Sequence, residues 1–211
     1  MRATKDAPRN PFCLLEPRHG LAEAVERGAF VLVKRLRVMG RPEGDLSQRM
    51  AMNQLGNGLS DVGQHEDALS VQEANLSMRR RLGVSAHSIL VAQGNLASTY
   101  CELGRFDEAL SLRRDVYSGT LRLHGEEHED ALAAAVNYSS SLVKLERFEQ
   151  AKSLLRRTIP VARRVLGECD ELTLRLRWIY AMALYRDDAA TLDDLCEAVT
   201  TLEDLAPTAR R

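Results

Sequence analysis

Apolar and small residues recur along the chain at intervals of three and four positions, with short polar segments between them. This spacing is typical of amphipathic helices. Three stretches repeat one order, in which an apolar segment ends at a polar turn and an alanine follows: residues 54–68, 95–109 and 137–151. Because the stretches recur about every 42 residues, the sequence predicts a stack of similar helix pairs that bury their apolar sides against one another.

Each repeated unit is predicted to contain two helices joined by a tight turn. The first helices are predicted at 46–63, 86–104 and 128–146, and the second helices at 66–82, 107–124 and 149–166. The central turn residues are Gly63, Gly104 and Glu146. Glycine suits a left-handed helix end because it has no Cβ atom to clash, so the turn at Glu146 is predicted to be strained or differently shaped.

Small residues are predicted to let the two helices of each unit approach closely. They are Gly56, Ala97 and Ser139 in the first helices, and Ala68, Ala109 and Ala151 in the second helices. Larger side chains one turn further along fill the remaining space: Leu59, Tyr100 and Leu142. Pro160 removes a backbone hydrogen bond to the carbonyl of Arg156 and predicts a kink, with Thr158 as a candidate partner for the freed group.

The repeat pattern divides the chain into a tail and an array with open ends. Residues 1–20 are polar and rich in proline, and they are predicted to form a disordered or irregular tail before a helical repeat domain at 21–211. Within the domain we predict a half unit, three full units and a degenerate fourth unit with a long turn at 185–191: about 21–40, 46–85, 86–127, 128–169 and 170–211. Terminal units normally carry polar caps. None is evident here, so we expect a piece of a longer array whose ends are candidate surfaces for self-association.

The composition agrees with an all-α protein. Of 211 residues, 45% are hydrophobic and only 5% are aromatic, which favours packing of helix on helix over a sheet. The formal net charge is −1, so no bulk charge attracts nucleic acid or an anionic membrane. No secretory leader or membrane span is evident, and the four dispersed cysteines are expected to be reduced thiols. We therefore expect a cytoplasmic protein whose partners are neither nucleic acid nor membrane.

One segment imitates a catalytic motif. His124-Gly-Glu-Glu-His128 has the spacing of the inverted zinc-peptidase pattern, which needs both histidines on one continuous helix so that they converge on Zn²⁺. Gly125 stands where glycines end the helices of neighbouring units, so we reject a metallopeptidase and expect His87 and His128 to be loop residues near a helix start. The sequence has no phosphate-binding loop and no nucleophile elbow, and it predicts no catalytic residue, no metal and no cofactor.

The second unit carries a family resemblance. Its segment Asn95-Leu-Ala-x-x-Tyr-x-x-x-Gly-Arg-Phe-x-x-Ala109, followed by Leu123-His-Gly-Glu-Glu-His128, resembles the tetratricopeptide repeats of kinesin light chains. The resemblance covers about residues 46–206. It implies an all-α superhelical array of antiparallel helix pairs, a protein-interaction scaffold and not an enzyme, and a concave groove that binds extended peptide segments of partner proteins.

In that architecture the first helices line the concave groove. Polar residues recur there at matching positions, and these are the candidate peptide-binding residues: Gln54, Asn57, Asn95, Ser98, Asn137, Ser140 and Lys144. Carboxamides carry both a donor and an acceptor, so a ladder of them suits the main chain of an extended peptide. The alternative is that they hold their own inter-repeat loops by hydrogen bonds.

A second hypothesis for the whole chain is a structural or spacer fragment of a larger repeat protein, without a ligand of its own. The second helices also carry clustered arginines, which are expected to lie on a solvated convex face. These are Arg79, Arg80, Arg81, Arg113, Arg114, Arg156, Arg157, Arg163 and Arg164.

Overall fold

The computed structural model of the protein describes residues 46–208, with side chains through 205, and this part of the chain forms eight α-helices. They are α1 Leu46–Asp61, α2 His65–Arg81, α3 Ala86–Glu102, α4 Phe106–His124, α5 Glu129–Lys144, α6 Phe148–Val165, α7 Glu171–Arg186 and α8 Leu192–Thr208. The predicted helix boundaries agree with these to within three residues. The predicted tail at 1–20 and the half unit at 21–40 lie outside the described residues.

The helices form four antiparallel pairs in chain order. Every helix packs against the next one, and the first helices of adjacent units also pack in two places, α1 against α3 and α5 against α7. Between these places α3 and α5 make no backbone contact, so the backbone contacts between the second and third units are those of α4 with α5. The predicted all-α array of helix pairs is confirmed, and its middle junction differs from the other two.

Polar side chains fix where three of the first helices begin. Ser85 before α3, His128 before α5 and Asp170 before α7 each accept a hydrogen bond from a backbone N–H of the first turn. Such caps satisfy donors that the helix itself leaves unpaired. The imidazole of His128 does this through Nδ1, 3.1 Å from the backbone nitrogen of Asp130.

Small residues bring the two helices of each unit together, as predicted. The six predicted positions are all buried, and five of them are fully buried or nearly so: Ala68, Ala97, Ala109, Ser139 and Ala151. At Gly56 a Cβ atom would lie 2.8 Å from Cγ of Gln72, closer than packed carbon atoms allow. A second close approach, not predicted from the sequence, lies at Gly119, where a Cβ atom would lie 2.6 Å from Cδ2 of Leu90.

One register of contacts links each unit to the next. Each second helix contributes the residue four positions after its small alanine. This residue meets one from the next first helix, two positions after that helix's small residue. At the first junction Gln72 accepts a hydrogen bond of 2.8 Å from Thr99. At the second, Arg113 donates one of 2.7 Å to Oγ of Ser141. At the third the corresponding second-helix residue is Leu155, fully buried in the large apolar cluster of α4–α8, so the chemistry of this position changes from polar to apolar.

The expectation of a solvated convex face for the arginines is wrong for two of them. Arg79 is only 4% exposed, and Arg113 is half-buried and also donates to the backbone oxygen of Asn137 at 3.1 Å. Desolvation by burial lowers the pKa of both guanidinium groups. These two side chains hold adjacent units together, whereas the other clustered arginines described above lie exposed.

The turn between α5 and α6 has the same shape as the two glycine turns. Glu146 has φ 57°, in the left-handed region where Gly63 has 81° and Gly104 has 75°. Its N–H donates to the carbonyl of Val143, as that of Gly104 does to Cys101. Of the two predicted alternatives, strain and a different shape, the structure has the first, because the turn keeps its shape and the strain of a Cβ atom in this conformation falls on Glu146.

We expect Glu146→Gly to raise the free energy of unfolding by about 0.5–1 kcal/mol. Relief of the left-handed conformation gains about 1–2 kcal/mol, and the greater freedom of glycine in the unfolded chain offsets part of this gain. Urea denaturation followed by circular dichroism measures the change. Glu146→Ala is the matched control, because it removes the same carboxylate but keeps the Cβ atom, and a gain equal to that of glycine would contradict the strain.

Helix α6 continues through Pro160 from Phe148 to Val165. The hydroxyl of Thr158 donates to the carbonyl of Leu154 at 2.9 Å, so it does not serve the carbonyl of Arg156 as the sequence analysis suggested. Thr158 instead reinforces the turn before the proline, and the kink itself stays a prediction.

The fourth unit is tied to the third by a nearly buried ion pair. Nζ of Lys152, on α6, donates to a carboxylate oxygen of Asp187 at 2.8 Å, where α7 ends and the long predicted turn begins. This hydrogen bond holds the pKa of Asp187 below its ordinary value.

Among the described helices, none is both long enough and apolar enough to cross a membrane.

Candidate functional site

One exposed stripe runs along each of the first helices of the three full units. We call these positions the ladder stripe, and its members follow one another at spacings of four, three and four residues. They are Met50, Gln54, Asn57 and Asp61 on α1, Val91, Asn95, Ser98 and Glu102 on α3, and Ala133, Asn137, Ser140 and Lys144 on α5. All are exposed or half-buried, because the opposite sides of these helices carry the small and apolar residues that pack against the second helices. The seven predicted binding residues all belong to the ladder stripe.

The carboxamides of the ladder stripe are unused by the rest of the described chain. Among residues 46–205, the side-chain amides of Gln54, Asn95 and Asn137 make no hydrogen bond. Asn53 and Asn75 behave differently, since Nδ2 of Asn75 donates to Oδ1 of Asn53 at 2.6 Å between α1 and α2. The carboxamides of the ladder stripe, exposed or half-buried, thus keep both donor and acceptor available within the described chain.

Two other predicted residues make local contacts. The hydroxyl of Ser98 donates to the carbonyl of Gly94 within α3 at 3.3 Å. Nζ of Lys144 lies 4.1 Å from the centre of the Phe106 ring, an arrangement that holds the ammonium at the end of α5 through its attraction to the ring. Arg113 donates to the backbone oxygen of Asn137, as described above. This hydrogen bond stabilises the position of α5 from which Asn137 projects.

Charge changes sign along the array at the last position of each stripe. Asp61 and Glu102 are acidic in the first two units, and Lys144 is basic in the third. The equivalent residue of α7 is Arg186, also exposed. Glu102 is oriented by a hydrogen bond of 2.7 Å from Ser60. All four residues lie near the carboxyl ends of their helices, so one edge of the stripe passes from negative to positive.

The carboxamide ladder stops after the third unit. The residue of α7 that corresponds to Asn137 is Ile179, which is 4% exposed and packs in the large apolar cluster. A buried apolar side chain at this position cannot extend the ladder.

The two histidines of the peptidase-like spacing do not share a helix. His124 is the last residue of α4, and His128 caps the start of α5. Their rings stack with centroids 4.3 Å apart, and Nδ1 of His128 is occupied by the cap. The arrangement needed by the inverted zinc-peptidase motif is therefore not formed, in agreement with its rejection. No disulfide joins the three described cysteines, Cys101, Cys169 and Cys196.

Solved structures of low sequence identity share this fold. Kinesin light chain-type, nearly identical TPR-like repeats from Podosopora anserina superpose with a TM-score of 0.77 at 19% identity, over 91% of this chain and 88% of that one. BtubC (BKLC) from P. vanneervenii gives 0.61 at 16% identity, over 89% and 84%. Bacillus thuringiensis PlcR, in complex with the peptide PapR7 and DNA, gives 0.59 at 14% identity, over 93% and 75%.

Sequence comparison identifies the repeat itself. No curated protein matches the chain significantly. A family profile described as tetratricopeptide repeat matches residues 47–118 and again 88–164, which together are more than half of the sequence. The chain therefore belongs to the tetratricopeptide repeat family.

Proposed function

We propose that this chain is a non-catalytic protein-interaction scaffold that binds extended peptide segments of partner proteins along the ladder stripe. The observation that carries the proposal is the recurrence of solvent-facing carboxamides, unbonded within the described chain, at one register of three successive units. A polar group that serves the fold is normally paired, as Asn75 is. Carboxamides on three parallel helices offer regularly spaced donors and acceptors, which the main chain of an extended peptide can use whatever its side chains.

The charge along the stripe favours peptides of a particular polarity. The acidic ends of α1 and α3 attract basic side chains, and the basic ends of α5 and α7 attract acidic ones. A segment with a basic cluster followed or preceded by an acidic cluster suits the array better than a uniformly charged one. Cytoplasmic location stays a prediction, as does the absence of nucleic-acid and membrane partners.

The comparisons support binding of a peptide in a general way. PlcR, one of the proteins of similar fold, was crystallised with the peptide PapR7 and with DNA. DNA binding uses an excess of positive charge on the protein, and the formal net charge of this chain is −1. Of these two ligands, the peptide is therefore the one we propose by analogy.

Replacing Asn95 and Asn137 together by alanine is expected to weaken peptide binding at least tenfold. Each substitution removes a donor and an acceptor from the middle of the ladder, and loss of two or more hydrogen bonds of about 0.5–1.5 kcal/mol accounts for that change. A displayed library of extended peptides, enriched on the full chain, supplies the ligand, and isothermal titration calorimetry measures its Kd for both proteins.

The matched control replaces Ser111 and Gln150 by alanine. These residues are exposed on second helices, so the affinity should stay within twofold of the unaltered chain. Circular dichroism and urea denaturation check that each variant is folded. Unchanged affinity in the folded Asn95 and Asn137 double variant would remove the ladder stripe as the binding surface.

The second candidate function is a structural spacer within a longer repeat protein. It predicts that the peptide library yields no binder above background, and that the chain associates with copies of itself or with further repeats through its ends. Light scattering after size-exclusion chromatography separates the two functions, since a peptide-binding scaffold has no need of such association.

A further inference from the structure

Three metal-ligating side chains from three different helices converge at the junction of the second and third units. His87 lies in the first turn of α3, His124 is the last residue of α4, and Asp130 lies in the first turn of α5. Their ligand atoms, Nδ1 of His87, Nε2 of His124 and Oδ2 of Asp130, lie within 4.8 Å of one another. His87 and Asp130 precede the ladder carboxamides Asn95 and Asn137 by eight and seven residues on the same helices, and the proposed function does not use the group.

The distances in this group are closer to those between ligands of one metal ion than to those of good hydrogen bonds. The two imidazole nitrogens are 3.5 Å apart. Oδ2 of Asp130 lies 3.7 Å from Nδ1 of His87 and 3.8 Å from Nε2 of His124. Good hydrogen bonds between such atoms are about 2.7–3.2 Å long. Ligands placed 2.0–2.2 Å from Zn²⁺ in a tetrahedron stand about 3.4 Å from each other, so shifts of a few tenths of an ångström would seat an ion.

The surrounding residues orient the group. The ring of His128 stacks on that of His124 at 4.3 Å, and its Nδ1 accepts from the backbone N–H of Asp130, so His128 supports both neighbours. The ring of His87 meets that of His124 edge-on, with centroids 5.6 Å apart. The side chain of His124 is only 25% exposed, while Asp130 and His87 are 46% and 53% exposed, which leaves one side open to solvent.

We propose that His87, His124 and Asp130 form a site for a divalent transition-metal ion, Zn²⁺ being the best fit. Two imidazoles and one carboxylate suit Zn²⁺, Co²⁺ or Ni²⁺, and not Mg²⁺ or Ca²⁺, which prefer oxygen ligands. Water completes the coordination from the open side. The ion binds the beginnings of α3 and α5, two helices that make no backbone contact of their own, and so fastens the middle junction of the array.

The test is a calorimetric titration of the full chain with ZnCl₂, compared with His124→Ala and Asp130→Asn. We expect one ion per chain in the unaltered protein and an affinity at least tenfold weaker in both variants. His65→Ala is the matched control, because His65 pairs with Glu102 at 3.0 Å in another part of the array, and its affinity should equal that of the unaltered chain. Asp130→Asn changes little volume, so it keeps the test valid if His124→Ala fails to fold.

Visible absorption of the Co²⁺-loaded chain gives a second readout. Nitrogen and oxygen ligands produce d–d bands without the strong thiolate charge-transfer band that cysteine ligands would add. The proposal fails if Zn²⁺ binds the unaltered chain no more tightly than about 100 μM, if the folded His124 and Asp130 variants keep full affinity, or if the Co²⁺ spectrum shows thiolate ligation.

Discussion

Replacing Ala151 by glutamate is expected to lower the free energy of unfolding by about 3–5 kcal/mol, the cost of a buried charge without a partner. Ala151 is fully buried and belongs to the large apolar cluster, where its methyl group fills the space between α5 and α6. A glutamate there either forces the helices apart or buries a carboxylate among apolar groups. Because each unit packs chiefly on its neighbours, the damage should centre on α5 and α6, which hydrogen exchange resolves.

The matched control for this change is Ser153→Glu. Ser153 lies two residues further along the same helix and is exposed, so the added carboxylate meets water and the expected change is within about 0.5 kcal/mol. Urea denaturation gives both values. A loss of less than about 1 kcal/mol at Ala151 would mean that the two helices are not packed as closely as the burial of their small residues indicates.

Replacing Arg79 by alanine is the second large expected effect, a loss of about 2–4 kcal/mol in the free energy of unfolding. The guanidinium donates to Oδ1 of Asn75 at 3.0 Å on its own helix and to the carbonyl of Ser88 at 2.8 Å on α3. A longer bond of 3.4 Å reaches the carbonyl of Arg49 on α1. Alanine removes the guanidinium donor from these three acceptors, of which Oδ1 of Asn75 is buried, and opens a cavity between two units.

Two further variants separate the causes of that loss. Arg79→Met restores most of the volume and should recover only the share that comes from packing, since it donates no hydrogen bond. Arg80→Ala changes an exposed arginine next in sequence and should have little effect. If the alanine variants of Arg79 and Arg80 lowered the free energy of unfolding equally in urea denaturation, the contacts of Arg79 would not stabilise the packing of the two units.

The period of about 42 residues was enough to predict the helices and the close contacts within each unit. Small residues such as Ala109 and Ser139 recur at fixed positions, and helix geometry turns such recurrence into a shared buried face. For the turn at Glu146, residue preference left strain and a different shape open as alternatives. The surrounding hydrogen bonds impose the left-handed conformation whether or not glycine is present.

Long side chains were harder to place than small ones. Arg79 and Arg113 looked like surface charge because arginine is mostly exposed in proteins. A signal for Arg113 existed in the repeat register, where the equivalent residues are Gln72 and Leu155, and Leu155 marks the position as buried. Arg79 has no such signal, since the equivalent residues are Thr120 and Ala162.

The candidate binding positions were predicted from register, whereas the histidine cluster was not. Exposure of Asn95 and Asn137 follows from which side of each helix carries the small residues. The group of His87, His124 and Asp130 comes from three helices and matches no contiguous motif, so only the packing of α3, α4 and α5 brings it together. Motif spacing instead pairs His124 with His128, because it relates only residues that are neighbours along the chain.

The absence of backbone contact between α3 and α5 has a mechanical consequence. Where first helices touch, as α1 touches α3, two adjacent units resist bending because both of their helices would have to slide. At the middle junction the backbone contacts are those of α4 with α5 alone, and Asn95 and Asn137 stand on opposite sides of it. A small rotation about that contact changes the spacing of these two carboxamides without separating a packed pair of first helices. The centre of the ladder can therefore match extended chains that differ in rise per residue.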